Sequence, residues 1–209
     1  MNIVEPKIED YIVSLRNEDD TLLAEMEAYA EENDFPIIGP EVGRLLHILT
    51  RATGAKTVFE MGSGYGYAGY WIAGALPDDG LIHMTDGSDM LKQMAIGVFR
   101  RAGFEHKMNF HLGNALEIID QTEGPFDIVF NDIDKEYYPE TVDRVVPKLR
   151  TGGLFITDNT LWYGKVADGS TPDKTTTGVL EFNKRVTNHP QLRTVILPIR
   201  DGLTVCVKL

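Results

Sequence analysis

The sequence is poor in several residue types, and each shortage excludes a class of protein. Among 209 residues there is one cysteine, Cys206, which rules out an intramolecular disulfide and a thiolate metal cage. Lys and Arg number 20 against 32 Asp and Glu, and the net charge of −12 without a basic cluster argues against nucleic-acid binding. No apolar run approaches the roughly 20 residues that span a bilayer. We therefore expect a soluble, cytoplasmic protein that binds neither nucleic acid nor membrane and whose substrate is small and neutral or cationic.

Familiar patterns of catalytic nucleophiles and histidine ligands are also missing. The histidines stand at positions 47, 83, 106, 111 and 189, without metal-ligand spacing. Ser63, Ser88 and Cys206 have no paired histidine and carboxylate in a recognisable elbow. Nucleophilic hydrolysis therefore has little support, and we interpret the histidines as structural or surface residues.

What the sequence does contain is an alternation of strand and helix patterns after three amphipathic helices. The helices have apolar stripes over 8–15, 22–30 and 42–49, with a break at 17–20 and an end near Gly54. Strand patterns follow at 57–61, 81–85, 108–112, 126–131, 153–157, 193–197 and 203–208, with helical stretches at about 67–76, 89–102, 138–149 and 176–188. The alternation predicts parallel βαβ units with helices on both faces, whereas the short link at 198–202 permits only an antiparallel hairpin. We expect one domain, with N-terminal helices over 1–54 and an α/β core over 55–209.

The clearest motif is a glycine-rich turn after the first strand pattern. A β-branched and aromatic run ends at an acidic residue, and glycines follow at alternate positions, in the order Glu60, Met61, Gly62, Ser63, Gly64, Tyr65, Gly66. This order indicates a strand, a tight turn and a helix start, where glycine lets a ligand approach the helix N-terminus. The motif predicts a cofactor-binding turn.

Two cofactor classes compete for this turn. Gly64-x-Gly66-x-x-Gly69 satisfies the dinucleotide fingerprint, but its first glycine comes late for a strand-end turn, and Glu60 would stand close to a pyrophosphate. The acidic frame that begins at Glu60 and includes Gly62 suits S-adenosylmethionine, whose amino and hydroxyl groups can donate to a carboxylate. We favour the methyl donor, while a dinucleotide and a purely structural turn stay open.

Asp86 ends the second strand pattern, about twenty residues beyond the turn. A carboxylate there can accept hydrogen bonds from both hydroxyls of a ribose, which either cofactor presents. The alternative is that Asp86 caps the helix that starts near Asp89, although Ser88 also suits that cap. Asp86 therefore indicates a nucleoside without identifying it.

Polar residues follow two strands that we expect to be neighbours in the sheet. The strand pattern at 126–131 leads to Asp132, and the pattern at 153–157 leads to Asp158 and Asn159. Ligands of open parallel sheets gather beyond the carboxyl ends of the strands, and oxygen ligands suit a hard octahedral cation such as Mg²⁺. The three residues predict a divalent-metal site. The alternative is separate strand-end acids that are satisfied by helix N-termini.

Lys135 lies three residues after Asp132 on the same predicted loop. Beside a metal it can take a proton from a substrate hydroxyl, or it can form a salt bridge with Asp134 or Glu136; the spacing does not separate these roles. Trp162 and Tyr163 can wall an aromatic substrate pocket or pack in the core. Residues 167–177 have the composition of a mobile loop near that pocket.

Together these motifs resemble the cation-dependent O-methyltransferases, the family of catechol and caffeoyl-coenzyme A O-methyltransferases. The resemblance runs from about Ile38 to Leu209 and rests on the segments 60–67, 113–116, 132–135, 158–166 and 201–202. Its most specific part is Asp-x-Asp-Lys at 132–135 followed by Asp-Asn-x-Leu-Trp at 158–162.

The resemblance implies a Rossmann-like methyltransferase fold with a seven-stranded, mostly parallel sheet. It implies that Asp132, Asp158 and Asn159 bind Mg²⁺ or another divalent cation such as Mn²⁺ or Ca²⁺, and that Lys135 is the catalytic base. The implied donor site is lined by Ile38, Glu60, Gly62, Ser63, Gly64, Tyr65, Asp86, Ala115 and Asp132. A homodimer is implied as well, with the N-terminal helices in dimer or substrate contacts.

The predicted function is the metal-dependent transfer of a methyl group from S-adenosylmethionine to one hydroxyl of a vicinal diphenol, a small phenolic substrate. One alternative is an NAD(P)-dependent oxidoreductase that uses the Gly64-x-Gly66-x-x-Gly69 frame. The other is a non-catalytic protein that keeps the fold and binds the donor or the metal without turnover.

Overall fold

The N-terminal region of the computed structural model, which describes residues 3–16 and 19–209, consists of three helices. They are α1, Pro6–Ser14; α2, Thr21–Glu32; and α3, Gly39–Thr53. The side chain of Asp20 caps α2, and Gly54 ends α3 in the left-handed conformation with φ 61°. The three predicted helices are confirmed, while residues 17 and 18 of the predicted break lie outside the described residues.

The remainder alternates between strands and helices around one sheet. The strands are β1, Thr57–Met61; β2, Leu81–Asp86; β3, Met108–Leu112; β4, Phe126–Asn131; β5, Leu149–Thr157; β6, Leu192–Leu197; and β7, Leu203–Lys208. The helices are α4, Tyr67–Ala75; α5, Asp89–Arg101; α6, Ala115–Gln121; α7, Tyr138–Lys148; and α8, Lys174–Asn188. The strand order is β3-β2-β1-β4-β5-β7-β6, and only β7 runs antiparallel to its neighbours. The predicted fold, including its C-terminal hairpin, is confirmed.

The core lies on both faces of this sheet. Val58 and Ile128 pack with α2 to α5 on one face, and Phe59 and Val129 pack with α6 to α8 on the other. Successive strand residues are therefore both buried, which explains the continuous apolar runs of β1 and β4. In the described part of the chain, no helix combines the length and the apolar character that a bilayer crossing requires.

One helix was not predicted, and two elements begin earlier than predicted. Helix α6 was not predicted, because its seven residues are too few for a clear helical period; the Asn114 side chain caps it by accepting the Leu116 N–H at 2.8 Å. Strand β5 begins at Leu149, which pairs with Phe126, rather than at residue 153. Helix α8 begins at Lys174, so the last part of the predicted loop at 167–177 is helical.

Candidate active site

The glycine-rich turn joins β1 to α4 and approaches the loop after β4 closely. Gly62, Gly64 and Gly66 have φ values of 83°, 52° and 93°, in the region that disfavours residues with a Cβ. A Cβ on Gly62 would lie 2.5 Å from the carbonyl oxygen of Asp132. The turn therefore needs glycine at position 62 both for its conformation and for its contact with the neighbouring strand end.

Hydrogen bonds from the end of β2 hold the turn in place. The Ser63 N–H donates to the Thr85 carbonyl at 2.8 Å, and the Thr85 N–H donates to Ser63 Oγ at 3.0 Å. Asp86 Oδ2 accepts from the Gly64 N–H at 3.0 Å, and Asp86 Oδ1 accepts from the Ser88 N–H at 2.9 Å. Asp86 thus braces the turn, and Ser88, not Asp86, caps α5. Each Asp86 oxygen keeps acceptor capacity for a ligand hydroxyl.

Glu60 is the most deeply buried acid next to the turn. Its exposed fraction is 0%, and neither carboxyl oxygen has a hydrogen-bond partner of normal geometry. Burial raises the pKa of Glu60 to about 8, an effect that the nearby Ser63 hydroxyl opposes and the charge of Asp132 reinforces. A buried acid without partners is suited to a ligand that brings its own hydrogen-bond donors.

A cavity of about 700 Å³ opens beside the turn, and we call it the turn cavity. It is lined by every residue predicted for the donor site, namely Ile38, Glu60, Gly62, Ser63, Gly64, Tyr65, Asp86, Ala115 and Asp132. It also reaches Lys135 and Asn159. Phe35, Tyr67, Thr85 and Asn114 line it as well, and sequence reasoning did not assign them to the donor site. Of these four residues, Tyr67 and Asn114 lie in segments on which the family resemblance rests, at 60–67 and 113–116.

The predicted metal ligands lie at the ends of two adjacent parallel strands. Asn131 of β4 is in register with Thr157 of β5, so Asp132 and Asp158 follow at the same level of the sheet. Asn159 has φ 55°, a left-handed conformation that asparagine tolerates, and it turns the chain at this point. The three predicted ligands are therefore brought together at one edge of the sheet.

Asp158 is a buried acid with one unpartnered oxygen. It is 4% exposed, and its Oδ1 atom has no hydrogen-bond partner. Burial, with a smaller contribution from the charge of Asp132, raises the pKa of Asp158 to about 7. Among the described residues no three His, Cys, Asp or Glu side chains form a metal cluster; this set has two carboxylates and one amide. Such an all-oxygen set fits a hard cation that completes its shell with water or substrate.

Lys135 forms a hydrogen bond with Asp132. Its Nζ atom donates to Asp132 Oδ1 at 2.7 Å, and it lies 5.3 Å from the centre of the Tyr138 ring and 5.7 Å from the Trp162 ring. The predicted alternative of a salt bridge with Asp134 or Glu136 does not occur among the described residues, because Lys135 pairs with Asp132, and Glu136 pairs with Lys174 at 2.9 Å. Lys135 is thus held by one carboxylate and two aromatic faces at the rim of the turn cavity.

A second cavity of about 610 Å³ adjoins the same strand end, and we call it the N-terminal cavity. Asp158, Asn159 and Tyr163 line it together with residues of α1, α2 and the 35–37 link. Asn159 borders both cavities. Tyr163 has the wall position predicted for it, whereas Trp162 packs against the core, with its ring tilted by 51° to that of Tyr163 at 5.2 Å between ring centres.

Comparison with known proteins agrees with this arrangement. The O-methyltransferase family model matches residues 14–209. The chain is 36% identical to tricin synthase 2 of Oryza sativa subsp. japonica, over 81% of this chain and 62% of that protein. It is 34% identical to caffeoyl-CoA O-methyltransferase 2 of Populus trichocarpa, over 78% of this chain and 71% of that protein.

A solved structure gives the same result at the level of the fold. The O-methyltransferase TomG of Streptomyces achromogenes, determined in complex with S-adenosylmethionine, matches with a TM-score of 0.87 and 28% identity, covering 97% of this chain and 96% of that chain. The family match over nearly the whole chain decides between the two readings of the glycine-rich turn, in favour of methyl transfer over a dinucleotide oxidoreductase. The chain belongs to the O-methyltransferase family.

Proposed function

We propose that the protein transfers the methyl group of S-adenosylmethionine to one hydroxyl of a vicinal diphenol and requires a divalent cation to do so. The observation that carries the proposal is the shared cavity, which is lined both by the glycine-rich turn and by Asp132, Lys135 and Asn159. In the reaction the C–S bond of the donor breaks as an O–CH₃ bond forms. The donor leaves as a neutral thioether, and the hydroxyl proton is released.

The lining of the turn cavity supports the proposal that S-adenosylmethionine is the donor. Glu60 presents two buried oxygens without partners, and Asp86 has spare acceptor capacity for ribose hydroxyls. Gly62 and Gly64 bring the backbone close to a ligand without side chains in the way. Ile38 covers the cavity from the N-terminal side, so a bound donor is shielded from water on that side.

The polar residues at the ends of β4 and β5 support the proposed requirement for a cation. Asp132, Asp158 and Asn159 would hold the cation, because Asp158 Oδ1 is buried without a hydrogen-bond partner and an all-oxygen set suits a hard cation. A cation held there supplies a Lewis acid that lowers the pKa of an acceptor hydroxyl. Mg²⁺ is the proposed ion, and Mn²⁺ and Ca²⁺ are the alternatives with the same preference for oxygen ligands.

Lys135 is the proposed proton acceptor. Its Nζ atom is 2.7 Å from Asp132 Oδ1, so it reaches the edge of the metal set, and the rings of Tyr138 and Trp162 limit where it can move. In its neutral form, after it has given its own proton to solvent, this Nζ atom would accept the proton of the acceptor hydroxyl and become an ammonium beside Asp132. Lys135→Ala tests the non-catalytic alternative: we expect methyl transfer to be lost while donor binding is kept, whereas a wild type that binds the donor without any methyl transfer would support that alternative.

The experiment that tests the function is an incubation with labelled donor, a panel of diphenols and Mg²⁺. We expect label in the phenol with Mg²⁺, none with excess chelator, and recovery when Mg²⁺ is restored. Asp143→Asn, which alters an exposed acid of α7, serves as the control for Asp158→Asn. Transfer that persists both in chelator and in Asp158→Asn would contradict the metal mechanism.

We also propose that the protein is a homodimer to which α1 contributes. No residue of α1 is buried, and Ile8, Tyr11 and Ile12 are exposed to 52%, 61% and 42%. An apolar helix face of this kind favours burial against another surface. Light scattering should give twice the chain mass, and Ile8→Glu with Tyr11→Glu should give the monomer; a monomeric wild type would contradict the proposal.

A further inference from the structure

The segment that joins α2 to α3 borders both cavities. Phe35, Pro36 and Ile37 line the turn cavity and the N-terminal cavity alike, and Ile38 lines the turn cavity. Residues 35–38, which we call the α2–α3 segment, have no regular secondary structure. Such connections open more readily than packed helices and strands do. The contacts that hold this segment in place therefore decide how easily a ligand enters or leaves the turn cavity.

Phe35 of this segment lies over the glycine-rich turn. A Cβ on Gly64 would lie 3.3 Å from its ring. The ring also meets the ring of Tyr65 edge to face, with 5.0 Å between the ring centres and 67° between the planes. A ligand bound against Gly64 is thus covered by Phe35, and it is released on this side only when the α2–α3 segment moves.

Arg200 contacts the α2–α3 segment from the opposite end of the chain. Among the described residues it is the single basic side chain that lines the N-terminal cavity. The acids of that cavity are Asp158 and Asp201 near the end of β5 and, on α1 and α2, Glu9, Glu27 and Glu31, which we call the acidic wall. The Nη1 atom of Arg200 donates to the carbonyl oxygen of Ile37 at 2.8 Å, and a Cβ on Gly39 would overlap the guanidinium. Because the donor is charged, this hydrogen bond is stronger than one between neutral groups.

The tip of the β6–β7 hairpin, which carries Arg200, is itself fixed to the loop that follows β5. The Leu161 N–H donates to the Asp201 carbonyl at 2.9 Å, and the Thr160 N–H donates to the Gly202 carbonyl at 3.0 Å. Arg200 has φ 47°, a left-handed conformation that is uncommon for arginine. The hairpin tip is therefore bonded to the loop after β5 on one side and, through Arg200, to the α2–α3 segment on the other.

We propose that Arg200 is a latch that holds the α2–α3 segment over bound S-adenosylmethionine and so sets the rate at which the donor and its thioether product leave. This inference rests on the proposed function, because it takes the turn cavity as the donor site. Arg200 lines the N-terminal cavity but not the turn cavity, so it acts through Ile37 as a positioning residue. The hydrogen bond between the guanidinium and the Ile37 carbonyl has to break before the segment opens.

The test measures the binding of S-adenosylhomocysteine, the thioether product, by calorimetry and by stopped-flow displacement, in chelator and without acceptor. Arg200→Met keeps a long stem but donates no hydrogen bond, and we expect the dissociation rate constant to rise ~10-fold while the association rate constant changes less. Arg200→Lys keeps a cationic donor and should return the dissociation rate constant to within ~3-fold of the wild type. Arg193→Met, in an exposed residue of β6 that lines neither cavity, makes the same substitution and should change neither constant.

The outcomes separate the latch from a purely structural role and from the proposed reaction. A lower melting temperature of Arg200→Met with an unchanged dissociation rate constant would overturn the latch and leave methyl transfer in place. Equal acceleration in Arg193→Met, or acceleration that Arg200→Lys does not correct, would overturn it as well. Faster dissociation that Arg200→Lys corrects, in a protein that methylates no diphenol, would support the latch and refute the proposed reaction. Absence of any binding of S-adenosylhomocysteine to the wild type would overturn both.

Discussion

The two cavities that meet at Asn159 are built in different ways. The turn cavity is formed mainly by the ends of β1, β2 and β4, with Glu60 fully buried and the glycine-rich turn tied by backbone hydrogen bonds to Thr85. The N-terminal cavity is formed by segments from both ends of the chain, from Ile3 to Asp201, and its acidic wall is solvent-accessible. The proposed donor site therefore depends on the sheet, whereas the shape of the N-terminal cavity depends on how the N-terminal helices pack.

Tyrosine hydroxyls link the two regions. The hydroxyl of Tyr65 donates to the Met26 carbonyl at 2.9 Å, and that of Tyr67 donates to Glu27. The Tyr70 hydroxyl donates to Asp20 Oδ2 at 2.8 Å. Because these tyrosines belong to the glycine-rich turn and α4, they attach α2 to the wall of the turn cavity. Variants that damage one cavity and spare the other test how separate the two regions are.

The largest expected effect comes from Asp158→Ala, which removes one of the three proposed metal ligands. We expect methyl transfer to fall by about 10³-fold or more, since the metal set loses a carboxylate. Donor affinity, measured by calorimetry, should stay within about twofold, because Asp158 does not line the turn cavity. The melting temperature should not fall, because Asp158 Oδ1 has no partner to lose. Equal losses of donor binding and turnover would show that the two regions are not separable.

Gly62→Ala should damage both regions at once through the backbone. The residue has φ 83° and its Cβ would lie 2.5 Å from the Asp132 carbonyl oxygen, so we expect a loss of about 2 kcal/mol or more in the free energy of unfolding. Gly97→Ala is the matched control, because Gly97 lies inside α5 with open space around it. It should stabilise the protein by about 0.5–1 kcal/mol in denaturant titrations. Similar effects of the two changes would contradict the close contact.

Glu60→Gln should change the pH dependence of the turn cavity. Burial raises the pKa of Glu60 to about 8 in the folded protein, against 4.5 for the ordinary group. The folded state therefore binds more protons than the unfolded chain between these values, and stability falls as pH rises from about 4.5 to about 8. The variant should flatten this slope in thermal melts. Both proteins are compared with Asp158→Asn present, because the pKa of Asp158 is also raised; an unchanged slope would contradict the assignment.

Tyr67→Phe should produce the smallest effect, on the link between the two regions. It removes the hydrogen bond to Glu27 Oε1, which we expect to cost about 1 kcal/mol in stability and to raise the acceptor KM severalfold. Donor affinity should change less, because the ring remains in place. Tyr29→Phe is the control, since no hydrogen bond of the Tyr29 hydroxyl occurs among the described residues. A larger effect of Tyr29→Phe would show that the tyrosine link is not what holds α2.

Much of the fold was predictable because buried parallel strands are read directly as apolar runs. The strands from β1 to β4 and the C-terminal hairpin agree with their sequence patterns, and Gly54 marks the end of α3. Helix α6 was missed because it is too short to show a period. The start of β5 was missed because Gly152 and Gly153 interrupt its apolar pattern.

The site was predictable where one local motif carried it. Glu60 and Gly62 belong to one contiguous turn, and Asp132 and Asp158 each follow a recognisable strand, so their positions could be expected from the alternation alone. Glu9, Glu31 and Arg200 carried no local signal, because a charged residue on an amphipathic helix or in a hairpin usually faces water. Sequence reasoning therefore reached the residues proposed for the donor and the metal, but not the acidic side chains of the N-terminal cavity.

Sequence patterns alone were enough to place the glycine-rich turn, the strands, all helices except α6, and the oxygen-bearing residues that follow each strand, since these depend on backbone conformation over a few residues. Only the tertiary structure decided that Lys135 pairs with Asp132 rather than with Asp134 or Glu136, and that residues 9 and 201 line one cavity. The physical reason is that local patterns specify the conformation of each segment, whereas burial of the apolar faces of α2 and the sheet specifies which distant side chains meet.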